Sequence, residues 1–301
     1  MSFADRLDEA VRKKNSPCLV GLDPHLDQLP PEFAAAHDPA ASRADVARAA
    51  GDFLCQVIDL AADHVPAVKP QSAFFEELGA DGAVQWERVV RSARERGMLV
   101  IGDVKRGDIG STAAAYARAF FGGRPWSDEP SCCDAITVNP YLGTDSIEPF
   151  LQSCRDQGTG LFILVRTSNP SSAEFQTRTS EDGNTLSESV AEAVVRWGSE
   201  LIGKSGLSSI GAVVGATHPQ ELANLRERMP QAPFLIPGYG AQGGSAADIR
   251  AGFLPGGRAG LVNSSRGILY AYKKQDTADW KDATRKAIAT MTTDIRSALG
   301  M

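Results

Sequence analysis

The strongest constraint on the fold is a recurrence. Eight short apolar runs of the buried-strand kind alternate with segments of helical spacing along the 301 residues. The runs are Cys18 to Pro24, Val65 to Gln71, Met98 to Lys105, Asp134 to Pro140, Leu161 to Thr167, Ile210 to Thr217, Phe234 to Pro237 and Gly260 to Arg266. A leading helix is predicted over 3–13, with Phe3, Leu7, Ala10 and Val11 on one face. Further helices are predicted over 43–62, 72–78, 83–96, 111–121, 144–155 and 185–203, from His218 onward, and over 278–298. Residues 25–42 read as an irregular insertion and 122–131 as a Gly-Pro-Trp-Asp linker. A polar loop runs from Ser168 to about Gly183; loops of that length are often lids over a binding site.

Strand–helix alternation without a dividing linker predicts a (β/α)8 TIM barrel, a single domain over 1–301 with a leading helix and extra loops. The competing architecture is a doubly wound sheet. A dinucleotide-binding version would carry a glycine-rich fingerprint at its first strand–helix turn, and Gly21-Leu22-Asp23-Pro24 is not one. A formal net charge of -6 argues against general nucleic-acid binding but leaves room for a small anion held by a local cluster. No apolar run is long enough for a bilayer, and the first residues lack the apolar core of a signal peptide, so a cytoplasmic location is expected. The cysteines (Cys18, Cys55, Cys132, Cys133, Cys154) and histidines (His25, His37, His64, His218) show no metal-ligand spacing. No metal site is expected.

The polar residues at the strand ends converge. Asp23 ends the first strand, Lys69 the second, Asp103 and Lys105 the third, with Asp108 beyond. Thr137 and Asn139 end the fourth, Thr167 and Ser168 the fifth; Gln242 follows the seventh and Arg266 ends the eighth. In a barrel all of these meet at the face where barrels do chemistry. Asp103 and Lys105 are two apart and share one side of a strand. Such charges at the end of a buried strand are costly unless paired. The plainer reading of this stretch alone is a solvated turn, with Asp108 or Ser111 capping the next helix. The glycine-rich stretch 238–244 reads as a phosphate cradle, with Ser245 opening a helix whose N-terminus favours negative charge. Arg266 can grip a phosphate through two parallel hydrogen bonds. A lysine flanked by acids keeps its positive charge and can protonate a carbanion, while an aspartate beside a substrate carboxylate repels it. That pairing suits decarboxylation without a cofactor.

The chain resembles the orotidine 5′-phosphate decarboxylases, and its length and Lys69-Pro70-Gln71-Ser72-Ala73-Phe74-Phe75-Glu76 resemble the longer bacterial (type 2) subfamily. The other matching pieces are Gly21-Leu22-Asp23-Pro24, Asp103-Val104-Lys105-Arg106-Gly107-Asp108-Ile109, Val138-Asn139-Pro140-Tyr141, Thr167-Ser168-Asn169-Pro170, Pro237-Gly238-Tyr239-Gly240-Ala241-Gln242-Gly243 and Val262-Asn263-Ser264-Ser265-Arg266-Gly267. They stand in family order along nearly the whole chain. The resemblance implies conversion of orotidine 5′-monophosphate to UMP and CO2, the last step of de novo UMP synthesis, without a cofactor. It implies a charged tetrad of Lys69, Asp103, Lys105 and Asp108, with Lys105 protonating C6 and Asp103 beside the departing carboxylate. Asp23 and Lys69 would hold ribose hydroxyls, and Asn139 belongs to a matching motif. Ser168, with Thr167, would read the pyrimidine edge, and Gln242, Gly243, Gly244 and Arg266 would hold the phosphate. Asp108 and Thr112 would come from the second subunit of a homodimer. The long loop after strand five departs most from the short family members. Two rivals use the same residues otherwise: a Mg2+-dependent sugar-phosphate enzyme sharing the Asp-x-Lys-x-x-Asp motif, and a non-catalytic barrel that binds UMP.

Overall fold

The structure, a computed structural model, describes residues 1–123, 131–239, 245–275, 277 and 279–301. Most of the 122–131 linker, and Gln242, Gly243 and Gly244 of the glycine-rich stretch, lie outside the described residues. Strands β1 (Cys18–Leu22), β2 (Ala67–Pro70), β3 (Leu99–Arg106) and β4 (Ala135–Val138) are followed by β5 (Gly160–Arg166), β6 (Ile210–Val214), β7 (Phe234–Ile236) and β8 (Gly260–Ser264). They form a closed barrel in sequence order, every neighbouring pair parallel, and β8 returns to β1 with Asn263 opposite Leu19. The fold is a (β/α)8 TIM barrel, and the doubly wound alternative is excluded.

Away from their C-terminal ends the strands are apolar, because they are covered on both faces. Alternate residues point to opposite sides. Val20, Leu22, Val68, Val100, Ile136, Val138, Ile163 and Val165 face outward and pack with the surrounding helices. Leu19, Ala67, Ile101, Ala135, Phe162, Val213, Leu235 and Leu261 face the barrel axis. The leading helix, Phe3–Lys14, belongs to this inner cluster through Phe3, Leu7 and Val11. It closes the end of the barrel from which the strands start. The Phe3 ring meets Phe162 edge-on at 5.9 Å. A Cβ at Gly160 would stand 2.1 Å from the Phe3 ring, so the helix docks only because β5 begins with glycine. Among the described residues no helix is long and apolar enough to cross a membrane.

Several boundaries differ from the sequence expectation. The 185–203 helix stops at Gly198, where Ser208 Oγ, donating to the Gly198 carbonyl, packs too close for a side chain. The 168–183 loop is not featureless: it holds a short helix, Ala173–Gln176, and a bridge between Thr179 and Thr185. Ser245 does not open an α-helix. It donates to Asp248, and the chain continues through turns to a 3-10 turn at Arg250–Gly252. Arg266 does not end β8; it begins a short helix, Arg266–Leu269.

Candidate active site

The inward rows of the barrel change character near the strand ends. Two residues after Ala67 comes Lys69, two after Ile101 comes Asp103, two after Ala135 comes Thr137, and two after Leu261 comes Asn263. These four, with Asp23 and Lys105, line a cavity of about 510 Å³ floored by Leu164, Val213 and Leu235.

Asp103 is the centre of it. The side chain is buried, and each oxygen accepts two hydrogen bonds. Oδ2 takes one from Lys69 Nζ at 2.6 Å and one from Gln71 Nε2 at 3.0 Å. Oδ1 takes one from Lys105 Nζ at 2.5 Å and one from Thr137 Oγ1 at 2.9 Å. Burial pushes the Asp103 carboxyl up, but the ammonium groups of Lys69 and Lys105 outweigh it and hold the group well below the usual carboxylate range. For the buried Lys69, desolvation disfavours the charged form, and the carboxylates of Asp103 and Asp23 together overcome it, leaving the group above its ordinary value. A pair this buried is stable only with further hydrogen bonds to the charges, and here the Asp103 carboxylate accepts four.

Lys105 is held differently. β3 arches away from β4 between Gly102 and Arg106, and Lys105 adopts a left-handed backbone with φ 43°. A non-glycine residue held there costs on the order of 1 kcal/mol. Thr137 Oγ1 stabilises the arch by accepting from the backbone N–H of both Val104 and Lys105, at 3.0 Å each. The arch turns the ammonium back onto Asp103 while leaving the side chain 46% exposed at the cavity. So Lys69 is a sealed cation and Lys105 an open one.

The walls have their own supports. Tyr270 Oη donates to the Asp23 carbonyl at 2.9 Å and accepts from the His25 N–H at 2.7 Å, pinning the turn that presents Asp23. Across the cavity, Thr167, Ser168, Asn169 and Gln176 form one wall. Gln176 Oε1 accepts from the Thr167 N–H at 2.8 Å, and its Nε2 donates to Thr167 Oγ1 at 2.9 Å. Buried Arg166 donates to Gln176, Ser172, the Thr167 carbonyl and Glu221, tying the loop after β5 to the helix after β6.

The structure therefore brings together Asp23, Lys69, Asp103, Lys105, Thr137, Thr167 and Ser168 of the expected residues. Asp108, Thr112, Asn139 and Arg266 do not line this cavity. Asp108 Oδ1 accepts from the Ile109 N–H, and Thr112 is exposed on the helix Gly110–Phe121. Asn139 is exposed, its Oδ1 accepting from the Tyr141 N–H in a local turn. Arg266 is exposed at the start of its short helix. Gln71, Gln176 and Asn263 join the site without having been singled out. Gln71 and Asn263 were open to the period-two rule, each two residues beyond an inward position; Gln176 reaches the site only through the folding of its loop.

Both oxygens of Asp103 are occupied by cations, which disfavours a divalent metal at this carboxylate. Among the described residues no three His, Cys, Asp or Glu side chains gather as ligands.

The family model described as "Orotidine 5'-phosphate decarboxylase / HUMPS family" matches residues 19–279. An orotidine 5′-phosphate decarboxylase of Rhodopirellula baltica is 44% identical over 98% of this chain and 99% of its own length. One of Clostridium perfringens is 41% identical over 99% of each. The solved structure of Leishmania donovani OMP decarboxylase superimposes with a TM-score of 0.76 at 33% identity, covering 100% of both chains. With its sequence matched from β1 to beyond β8 and full-length relatives above the 40% level, the chain belongs to the orotidine 5′-phosphate decarboxylase / HUMPS family.

Proposed function

We propose that this chain converts orotidine 5′-monophosphate to UMP and CO2, using no cofactor, as one domain over 1–301 in the cytoplasm. The observation that carries the reading is the open ammonium of Lys105 held on a carboxylate that is itself saturated with donors. The difficulty of the reaction is electronic. When the C6–carboxylate bond breaks, its electron pair stays on C6, with no adjacent sink. A fixed cation at that position stabilises the developing charge, and preorganised electrostatics of this kind are commonly the largest catalytic term. Lys105 Nζ then gives its proton to C6, forming the C6–H bond of UMP and leaving a neutral amine. Asp103 keeps Lys105 aimed and stands beside the departing carboxylate.

In the same reading, Asp23 and Lys69 hold ribose hydroxyls, and Thr167 and Ser168 meet the pyrimidine edge. Arg266 grips the phosphate together with Gln242, Gly243 and Gly244. Binding energy from that remote phosphate serves to hold the reacting end in place. The active unit is a homodimer in which Asp108 and Thr112 reach the neighbouring copy's ribose. Its support is the exposure of large apolar side chains in the loops after β3 and β4: Ile109, next to Asp108, and Tyr141 and Leu142 are 52%, 86% and 49% exposed.

The test is direct. Purified protein is mixed with orotidine 5′-monophosphate in the presence of EDTA, and the ultraviolet change is followed as UMP forms. Rapid conversion is expected. No conversion, with turnover of a sugar phosphate on adding Mg2+, would transfer the chain to the metal-dependent rival; UMP binding without turnover would make it a nucleotide-binding barrel.

A further inference from the structure

Asn263 has no part in the chemistry argued above. It stands on β8, opposite Leu19 of β1 and three residues before Arg266. Its side chain lies across the end of β1. A Cβ on Gly21 would stand 2.8 Å from Asn263 Oδ1 and 1.9 Å from Ser265 Oγ, so the amide can occupy this place only because residue 21 is glycine. The side chain lines the same cavity as Lys69, Asp103 and Lys105.

Asn263 Oδ1 is buried and has no hydrogen-bond partner, and the same holds for Asp23 Oδ1 on the neighbouring strand end. A buried acceptor without a donor costs about 1–3 kcal/mol. Turning the amide over exchanges an orphan acceptor for an orphan donor, so the need for a partner stays. An aliphatic residue would serve an inward position two beyond Leu261 better if packing were all it had to do. Two unpartnered polar groups in one cavity wall call for a ligand bearing hydroxyls: a hydroxyl donates to the carboxylate of Asp23 and pairs with the amide in either orientation. Their place along the wall says which part of the ligand this is. Asn263 comes three residues before Arg266, the proposed phosphate residue, and shares its cavity with the charged cluster around Asp103. In a nucleoside monophosphate the sugar lies between phosphate and base.

We infer that Asn263 is a substrate-binding residue, its amide pairing with a ribose hydroxyl beside Asp23. The inference rests on the proposed nucleotide reading. The experiment measures UMP binding by calorimetry and orotidine 5′-monophosphate turnover in parallel, for wild type, Asn263→Leu and Asn263→Ser. UMP is compared with its 2′-deoxy and 3′-deoxy forms. Asn263→Leu should weaken UMP binding about 10-fold, with kcat within about 3-fold of wild type. One deoxy nucleotide should lose more on wild type than on the variant, which keeps only the Asp23 and Lys69 contacts to the hydroxyls; Asn263→Ser, which keeps a hydroxyl, should fall between and serves alone if the leucine variant does not fold. UMP binding at wild-type strength in a folded variant, or equal deoxy penalties with and without the amide, would overturn the assignment. Wild-type protein that binds UMP but turns nothing over would instead sink the decarboxylase reading and leave this one standing.

Discussion

The two ends of the barrel interior are built from the same strands and do opposite things. At the end where the strands start, the inward rows carry Leu19, Ala67, Leu99, Ala135, Phe162 and Leu261, sealed by Phe3, Leu7 and Val11 of the leading helix. At the other end the same rows carry Asp23, Lys69, Asp103, Thr137 and Asn263, with only the cavity above them. On β2 and β4 the change takes a single inward step, Ala67 to Lys69 and Ala135 to Thr137. One end is solved as a packing problem, with apolar contact on all sides. The other is solved as a charge problem, in which each ion is affordable only through its partners. The barrel can keep its stability and its chemistry apart, which is the general division of labour in this architecture.

The sharpest way to test that separation is to remove Lys105. Lys105→Ala leaves Asp103 still bound by Lys69, Gln71 and Thr137, so the fold should survive. Turnover should fall by about 10⁴-fold or more, since both the proton donor and the fixed cation are gone. Steady-state kinetics with a thermal melt checks both halves; near-normal turnover would remove Lys105 from its proposed role.

Phe3→Ala is the matching change at the sealed end. The ring is fully buried against Phe162 and Gly160. Deleting it should cost about 3–5 kcal/mol in denaturant unfolding, with kcat/KM of the folded protein nearly unchanged. A large kinetic defect in this variant would show that the two ends are coupled after all. Arg266→Ala asks a smaller question of the open end. The exposed side chain contributes little to the fold, so the melt should hold. KM should rise by about 10- to 100-fold if the arginine grips phosphate, the worth of a charge-assisted pair.

The same comparison explains what could be read from the sequence. The barrel was legible because eight apolar runs leave few ways to cover both faces of a sheet, and the helix that seals it showed its buried stripe of Phe3, Leu7 and Val11. Asp103 and Lys105 were legible as charges too costly to stand unpaired. What stayed hidden depends on backbone irregularity. Nothing local marks the arch in β3 that puts Lys105 at φ 43° and turns it back on Asp103. Nor does sequence spacing reveal that Gln176 folds back nine residues to hold Thr167. At Ser245 the start signal is present, since Ser245 and Asp248 exchange the reciprocal hydrogen bonds of a capping box, yet the chain goes on through turns to the 3-10 turn Arg250–Gly252 and no α-helix follows.

The smallest expected effect returns to the sealed end and concerns protons. Asp5 lies in the first turn of the leading helix, and its Oδ1 accepts from the Ser205 N–H at 2.8 Å. That backbone hydrogen bond, above all, lowers its carboxyl from 3.8 to about 2. A group depressed in the folded state adds stability above its unfolded value and loses it as pH falls through the folded one. Its contribution is therefore complete above pH 3.8 and lost on the way down to about pH 2. Asp5 is solvent-screened, so the amount should stay below about 1 kcal/mol. Urea unfolding of wild type and Asp5→Asn at about pH 5 and about pH 2.5 isolates it, because the other acids titrate in both proteins. The stability gap between the two should narrow in acid. An unchanged gap would mean that Asp5 adds nothing to the seal, whose polar ties would then be those of Arg6 to Asp134 and Arg258 to Asp8.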